Sequence, residues 1–105
     1  MVEVDAVLEL LGAQRRRYAL YFLEEQSEPV PIEAVAEAVA AMETAGDDAP
    51  GSADVKVSLH HNHLQKAGEY EFIQYDSEKG VVELLDSPPQ FDLLLTVANV
   101  LEQPE

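Results

Sequence analysis

All three histidines of this 105-residue chain stand close together, and their type and spacing suggest metal chemistry first. His60 and His63 are one helical turn apart, so their imidazoles could share a metal ion. His61 points the opposite way on the same helix, and the segment offers no third ligand. We therefore predict neither a metal site nor a cofactor. His63 falls among apolar residues, and we expect it to be half-buried and hydrogen-bonded.

A helix predicted over Asp54–Ala67 carries a polar, uncharged face that suits the recognition of nucleic-acid bases. At about 100° per residue, its apolar side groups Val55, Val57, Leu59, Leu64 and Ala67. The opposite side groups four residues that can all form hydrogen bonds, namely Ser58, His61, Asn62 and Gln65. Asn and Gln side chains can pair with adenine edges, and the flanking Lys56 and Lys66 could bind phosphates. The pattern predicts a helix that reads the major groove of DNA, although any solvated helix face is also polar.

The same segment is free of acidic residues, although about one acid-free run of this length is expected by chance in such a chain. Val55–Gly68 contains no Asp or Glu, although 21 of the 105 residues are acidic. The other such stretch, Leu10–Leu23, contains Arg15, Arg16 and Arg17, which span about 200° of their helix and cannot all face one partner. We expect one or two of these arginines to bind backbone phosphates. The alternative for each is a salt bridge to a nearby carboxylate.

The overall charge points to a salt-adapted protein. The chain has 21 acidic and 6 basic residues, a formal net charge of -15, and 47% apolar residues, so it can fold around a core. The acidic residues are spread evenly rather than gathered in a tail. At about 1 M salt the Debye length is roughly 3 Å, so such a surface is tolerated there. The alternative is an acidic protein that binds a basic partner.

Composition and motifs exclude several classes of protein. The absence of cysteine rules out disulfide scaffolds, zinc fingers and thiol catalysis. The acidic N-terminal segment is unlike a signal peptide, and no apolar run approaches the roughly 20 residues that span a bilayer. We therefore expect a cytoplasmic protein that does not bind membranes. We find no phosphate loop, no G-x-S-x-G and no H-E-x-x-H motif, and we expect no enzymatic activity.

Apolar spacing predicts helices first, then a hairpin, then a last helix. The predicted helices cover Val4–Leu11, Ala13–Gln26, a segment starting at Pro31 with an apolar stripe to Ala40, Asp54–Ala67 and Phe91–Glu102. Thr44–Ala53 reads as a loop, and the strands Tyr70–Tyr75 and Gly80–Leu85 flank a turn. The predicted fold class is α+β: a winged helix over residues 1–86, followed by a C-terminal helix over 87–105. We expect Lys79, at the hairpin tip, to contact the DNA backbone or minor groove.

A family resemblance agrees with this layout. The residues that carry it are Arg15–Leu20 with Leu23, Pro29-Val30 with Ile32–Val39, Val57–Leu59 with His63-Leu64 and Lys66, and Tyr75-Asp76 with Gly80–Val82. On these residues the chain resembles the small winged-helix domain proteins of haloarchaea, most of which are uncharacterised and presumed to be regulators. The resemblance implies a winged-helix fold, a salt-rich cytoplasm and a transcriptional regulator that binds double-stranded DNA.

The last predicted helix has more apolar surface than one small domain needs, since its apolar residues span about 220° of its circumference. We expect this helix to form a homodimer with two-fold symmetry. The predicted interface residues are Phe91, Leu94, Leu95, Ala98 and Leu101. The alternative is that the helix folds back into its own domain.

Two functions remain open from the sequence. The first is a dimeric, sequence-specific DNA-binding regulator. The second is a protein–protein interaction module that uses the same scaffold without binding DNA. The position of the basic residues distinguishes them: a DNA-binding protein should expose its basic groups along one surface free of carboxylates, whereas an interaction module should have them scattered and neutralised.

Overall fold

The computed structural model describes residues 4–43 and 52–102. In chain order these residues form α1 (Val4–Leu10), α2 (Gln14–Glu24), β1 (Val30–Pro31), α3 (Ile32–Met42), α4 (52–67), β2 (Ile73–Asp76), β3 (Val81–Leu84) and α5 (Pro89–Glu102). Helix α4 has three consecutive segments, Ser52–Ser58, a π-helical turn Leu59–His63, and Leu64–Ala67. Residues 44–51, which make up most of the predicted loop Thr44–Ala53, lie outside the described residues. The described chain is thus α+β, with five helices and a small three-stranded antiparallel sheet, which confirms the predicted class.

Helices α2 and α3 bury the faces that their apolar residues predict. In α3 the stripe of Ile32, Val35, Ala36, Val39 and Ala40 is buried, as predicted. In α2 the dense apolar block places Ala19, Leu20, Tyr21 and Leu23 in the core, and α2 packs against α3 and α5. Pro31 precedes α3 in an extended conformation, where its missing N–H leaves no donor unpaired.

The sheet has one strand that apolar spacing does not reveal. Strand β1 is two residues long and pairs antiparallel with β3, giving the strand order β1-β3-β2. It lies at a sheet edge, where proline is tolerated because its missing N–H faces away from the ladder. The backbone N–H of Ile32 also donates to the Gly80 carbonyl oxygen at 2.8 Å. These contacts tie the start of α3 to the β2–β3 hairpin.

The hairpin begins later than predicted and turns at a glycine. Residues 70–72 form turns rather than strand, because the backbone N–H of Tyr70 bonds back to the Ala67 carbonyl oxygen at the end of α4. At the other end, the Asp76 carboxylate accepts the backbone N–H groups of Glu78 and Lys79 at 3.0 and 3.1 Å. Gly80 then adopts a φ of +67°, which disfavours any residue with a Cβ.

Helix α5 completes the core of its own chain, which corrects part of the dimer prediction. Phe91 and Leu95 are fully buried, and the rings of Phe91 and Phe72 lie 4.7 Å apart. Their predicted role in an interface is therefore wrong, because neither side chain reaches the surface. Leu94 and Ala98 are half-buried against the core, while Leu101 is exposed.

Within the two described ranges no helix is long and apolar enough to cross a membrane.

Candidate nucleic-acid interface

The π-helical turn decides which side of α4 faces solvent. The core-facing residues Val55, Leu59 and Leu64 are spaced four and then five apart, and all three are buried. In a regular α-helix, a side chain five residues after Leu59 would point about 140° away from the direction of Leu59. Instead, the backbone N–H of Leu64 bonds to the carbonyl oxygen of Leu59, five residues earlier. The wider turn brings Leu64 back onto the core side and leaves an extra residue on the outer side.

The outer side of α4 presents most of the predicted base-reading residues. His61, Asn62 and Gln65 are exposed, and Ser58 is partly exposed. Val57 is also exposed, by 57%, although the apolar arc predicts it in the core. It lies about 200° from Val55, too far round the helix to reach α3, against which α4 packs. From Val57 to Gln65 the outer side is therefore polar and uncharged, with one apolar side chain, while the exposed Asp54 lies one turn before Ser58.

Two lysines flank this face, and each has a carboxylate partner. The Lys56 ammonium donates to Glu33 Oε2 at 2.7 Å, and the Lys66 ammonium donates to Glu9 Oε1 at 3.3 Å. The hydrogen bond from Lys56 lowers the pKa of Glu33. Exposed ion pairs of this kind stabilise a fold little and are screened by salt. Both ammonium groups can therefore exchange a carboxylate for a phosphate.

Arg15 and Arg17 are bound by carboxylates at the ends of other helices. Arg15 donates to both oxygens of Glu43, at 2.8 and 2.7 Å, directly after α3. Arg17 donates to both oxygens of Glu102, at 2.8 Å each, at the end of α5. The hydrogen bonds raise the pKa of both arginines. This is the salt-bridge alternative that the sequence left open, since the two bidentate pairs occupy the groups that were expected to meet phosphates.

Arg16 is buried, so its predicted contact with a phosphate is wrong. Its guanidinium donates to the backbone carbonyl oxygens of Glu9 and Leu10, at the C-terminal end of α1. Helix C-termini leave such carbonyls unpaired and attract cations. Together, the three consecutive arginines connect the start of α2 to the C-terminal ends of α1, α3 and α5. The arginines therefore stabilise the packing of the helices. This role depends on partners that are distant in the sequence, so the sequence alone does not show it.

Two histidines of the π-helical turn point inward and also connect elements. His63 is half-buried, as predicted, with Nδ1 3.5 Å from Arg16 Nη1, and burial together with Arg16 lowers its pKa. His60 is hydrogen-bonded through Nδ1 to the Tyr75 hydroxyl on β2, and burial raises the pKa of that tyrosine. His60 and His63 thus bond to different elements, while the rings of His60 and His61 lie 4.9 Å apart. In the part of the chain that the structure describes, no group of three or more ligand-type residues could hold a metal ion.

The tip of the β2–β3 hairpin carries one basic residue. Lys79 is exposed at the tip, and among the described residues its side chain has no ion-pair partner. The surrounding residues Glu78 and Glu83 make the hairpin acidic overall. Lys79 can reach a phosphate, but the hairpin as a whole does not form a basic surface.

Comparison with known proteins yields a family without a known function. A family model described as "Domain of unknown function (DUF7344)" matches residues 8–83, which extend from α1 into β3. No curated protein and no solved structure matches the chain.

Proposed function

Because the chain belongs to DUF7344, a family described only as a domain of unknown function, we propose its function from the geometry of its surface. We propose a salt-adapted, cytoplasmic winged-helix protein that binds double-stranded DNA and regulates transcription. Helix α4 enters the major groove, and the β2–β3 hairpin is the wing. The observation that carries this proposal is the outer face of α4 from Val57 to Gln65, which is uncharged, rich in hydrogen-bonding groups and flanked by lysines.

The order of the elements supports the winged-helix assignment. Strand β1 lies between α2 and α3 and joins the hairpin in a sheet of order β1-β3-β2. Helices α2, α3 and α4 pack as a three-helix unit, with α3 against both of the others. In helix-turn-helix proteins of this kind the later helix of the pair reads the groove. That position belongs to α4 here.

Each exposed group of the face has a matching DNA group. The amides of Asn62 and Gln65 can donate to and accept from an adenine edge. His61 and Ser58 can bond to several base acceptors, and Lys56 with Lys66 can bind phosphates on the two sides of the groove. Lys79 extends the phosphate contacts to the wing.

The net charge of -15 determines how binding must depend on salt. At low salt the acidic surface repels the DNA backbone, whereas in concentrated salt this repulsion is screened. Ordinary DNA-binding proteins release counterions, so their affinity falls steeply as salt rises. We expect the affinity of this protein to fall less steeply or to rise with salt, and a steep fall would contradict the proposal.

Selection of genomic DNA fragments by the purified chain in molar KCl tests the proposal directly. We expect enrichment of a short motif, and we expect the double variant Asn62→Ala/Gln65→Ala to lose it, since both amides that read adenine are removed. The matched control is Gln26→Ala, an exposed amide just beyond α2. Unchanged sequence-specific binding by the double variant would exclude α4 as the reading helix.

One observation favours a second candidate, a protein–protein interaction module. Among the described residues, five of the six basic side chains are bonded to carboxylates or backbone carbonyls, and only Lys79 is not. An interaction module would neutralise its basic residues in this way. If a folded protein enriches no DNA motif in molar KCl, this second function is the better account.

A further inference from the structure

Helix α5 has two apolar stripes, and only one of them faces the core. The inner stripe contains the buried Phe91 and Leu95. The outer stripe consists of Leu93, Val97, Val100 and Leu101, which are exposed by 65%, 46%, 70% and 78%. Spacings of four, three and one residues place these four side chains together on the side of the helix opposite the core. A surface helix of a single domain needs only the inner stripe.

Helix α1 extends the outer stripe into a wider surface. Val4 and Leu8 on α1 are each half exposed, and α1 packs beside α5. A groove between the two helices is lined by Leu8, Leu11, Leu94, Val97, Ala98 and Leu101, together with the paired Arg17 and Glu102. With the outer stripe, the exposed apolar side chains of the α1–α5 face cover on the order of 600 Å², at the upper end of what a monomer exposes.

The charge of this face restricts what can cover it. Residues 93–101 contain no charged side chain, in a protein with a net charge of -15. Glu102, directly after them, accepts hydrogen bonds from Arg17, Tyr21 and Gln14, so its carboxylate is turned toward its own chain. A basic partner would gain little here, because the carboxylate of Glu102, which lines the groove, is already paired with Arg17. A partner of this face must therefore present an apolar surface of similar area.

We propose that a second copy of this chain covers the α1–α5 face and forms a two-fold symmetric dimer. Packing the α1–α5 pair of one protomer on that of its partner places four helices side by side, as in a helix bundle. The dimer buries about 1,200 Å² in total, which reaches the lower end of specific interfaces. The predicted homodimer is retained, but its contacts are the outer stripe and α1 rather than Phe91 and Leu95.

Salt controls this dimer because both protomers carry the same charge. Two chains of net charge -15 repel each other at low salt. At about 1 M KCl the Debye length is roughly 3 Å, so the repulsion is screened while the apolar contact is retained. We therefore expect a monomer at low salt and a dimer in molar KCl.

Analytical ultracentrifugation of the full chain in molar KCl tests the proposal by mass alone, independently of any DNA binding. We expect a dimer for the natural sequence and a monomer for Val100→Glu, which places two carboxylates in the interface. The uncharged variant Leu93→Ser/Val100→Ser should also weaken the dimer. The control Val57→Glu adds the same charge to an exposed valine on α4 and should remain dimeric. Circular dichroism in the same buffer verifies that each variant is folded.

Cross-linking gives a second measurement that does not depend on disrupting the interface. The chain has no cysteine, so single cysteines can be introduced without background. We expect Val100→Cys to cross-link into dimers with a short bifunctional maleimide and Val57→Cys not to. A folded natural chain that stays monomeric in molar KCl overturns the proposal and leaves the face for another partner. A dimer that survives Val100→Glu shows that the second copy binds elsewhere.

Discussion

The three consecutive arginines show how a few basic side chains connect a strongly acidic molecule. Arg15 binds Glu43, Arg16 binds backbone carbonyls, and Arg17 binds Glu102, so each joins α2 to the end of a different helix. A carboxylate at a helix C-terminus is unfavourable by itself, because the helix dipole is negative there. Bidentate guanidinium pairing compensates for this, and lysine, which lacks the planar fork, would do so less well.

Glu102 gives a pH-dependent prediction at this scale. Its four hydrogen bonds, led by those from Arg17, lower its pKa to about 2, from 4.5. A carboxyl whose pKa is lowered by folding stabilises the fold above its unfolded pKa, and that contribution is lost as the pH falls toward the folded value. We expect Glu102→Gln to lower the free energy of unfolding by about 2 kcal/mol at pH 7. The difference in unfolding free energy between this variant and the natural protein should disappear as the pH approaches about 2.

Urea denaturation at constant KCl concentration, from pH 7 down to about pH 2, measures that gap. The control is Glu25→Gln, an exposed carboxyl directly after α2, which should leave the free energy of unfolding unchanged. A gap of constant size across this range would show that Glu102 acts through packing rather than through its charge.

At the scale of elements, the π-helical turn in α4 is what separates the core side from the exposed side. Its extra residue keeps Leu59 and Leu64 on the core side, five positions apart, and directs His61 and Asn62 to solvent. Such turns are rare and occur often at functional sites. The turn therefore does two things: it maintains the packing of α4 and it widens the face proposed to meet DNA.

Deleting one residue from this turn tests the account. Removal of Asn62 leaves Leu59 and Leu64 four apart, which a regular α-helical turn accommodates. We expect the deletion variant to fold with a change in unfolding free energy below about 1 kcal/mol, measured by urea denaturation. The control is deletion of Lys56, which moves Asp54 into the fully buried position of Val55 and should cost more than about 2 kcal/mol. Equal costs for the two deletions would contradict the role given to the turn.

At the scale of the whole molecule, an even acidic surface makes stability depend on salt. Self-repulsion at a net charge of -15 opposes the compact state, and ions screen it over about 10 Å at 0.1 M but roughly 3 Å at 1 M. The same screening governs the proposed dimer and the proposed DNA binding. We therefore expect the salt concentration to affect folding, the proposed dimer and the proposed DNA binding in parallel.

We expect the melting temperature to rise with KCl concentration up to at least about 1 M, measured by circular dichroism. A variant with three exposed carboxylates removed, Asp5→Asn/Glu25→Gln/Glu37→Gln, should show a weaker rise because its self-repulsion is smaller. Sucrose, which stabilises without screening charge, should affect the two proteins equally. Identical KCl dependence in both would show that charge repulsion is not the cause.

The sequence by itself determined whatever depends on local periodicity and on charge. The buried stripe of α3, the positions of the helices, the hairpin, the half-buried state of His63 and the acidic surface could all be read from residue types and spacing. These features follow from the regular repeat of helices and strands, which does not depend on residues that are distant in the sequence.

Only the tertiary structure decided the features that require a distant partner. Strand β1 exists because β3 pairs with it, and Arg15 and Arg17 are bound by carboxylates 28 and 85 residues away. The π-helical turn is stabilised by the packing of Leu64 in the core. Contacts with the other core residues determine that the stripe of α5 with Phe91 and Leu95 is the buried one. Periodicity indicates which residues can be buried or paired. Tertiary packing determines which of them are, because only some of these residues can contact one another in the folded chain.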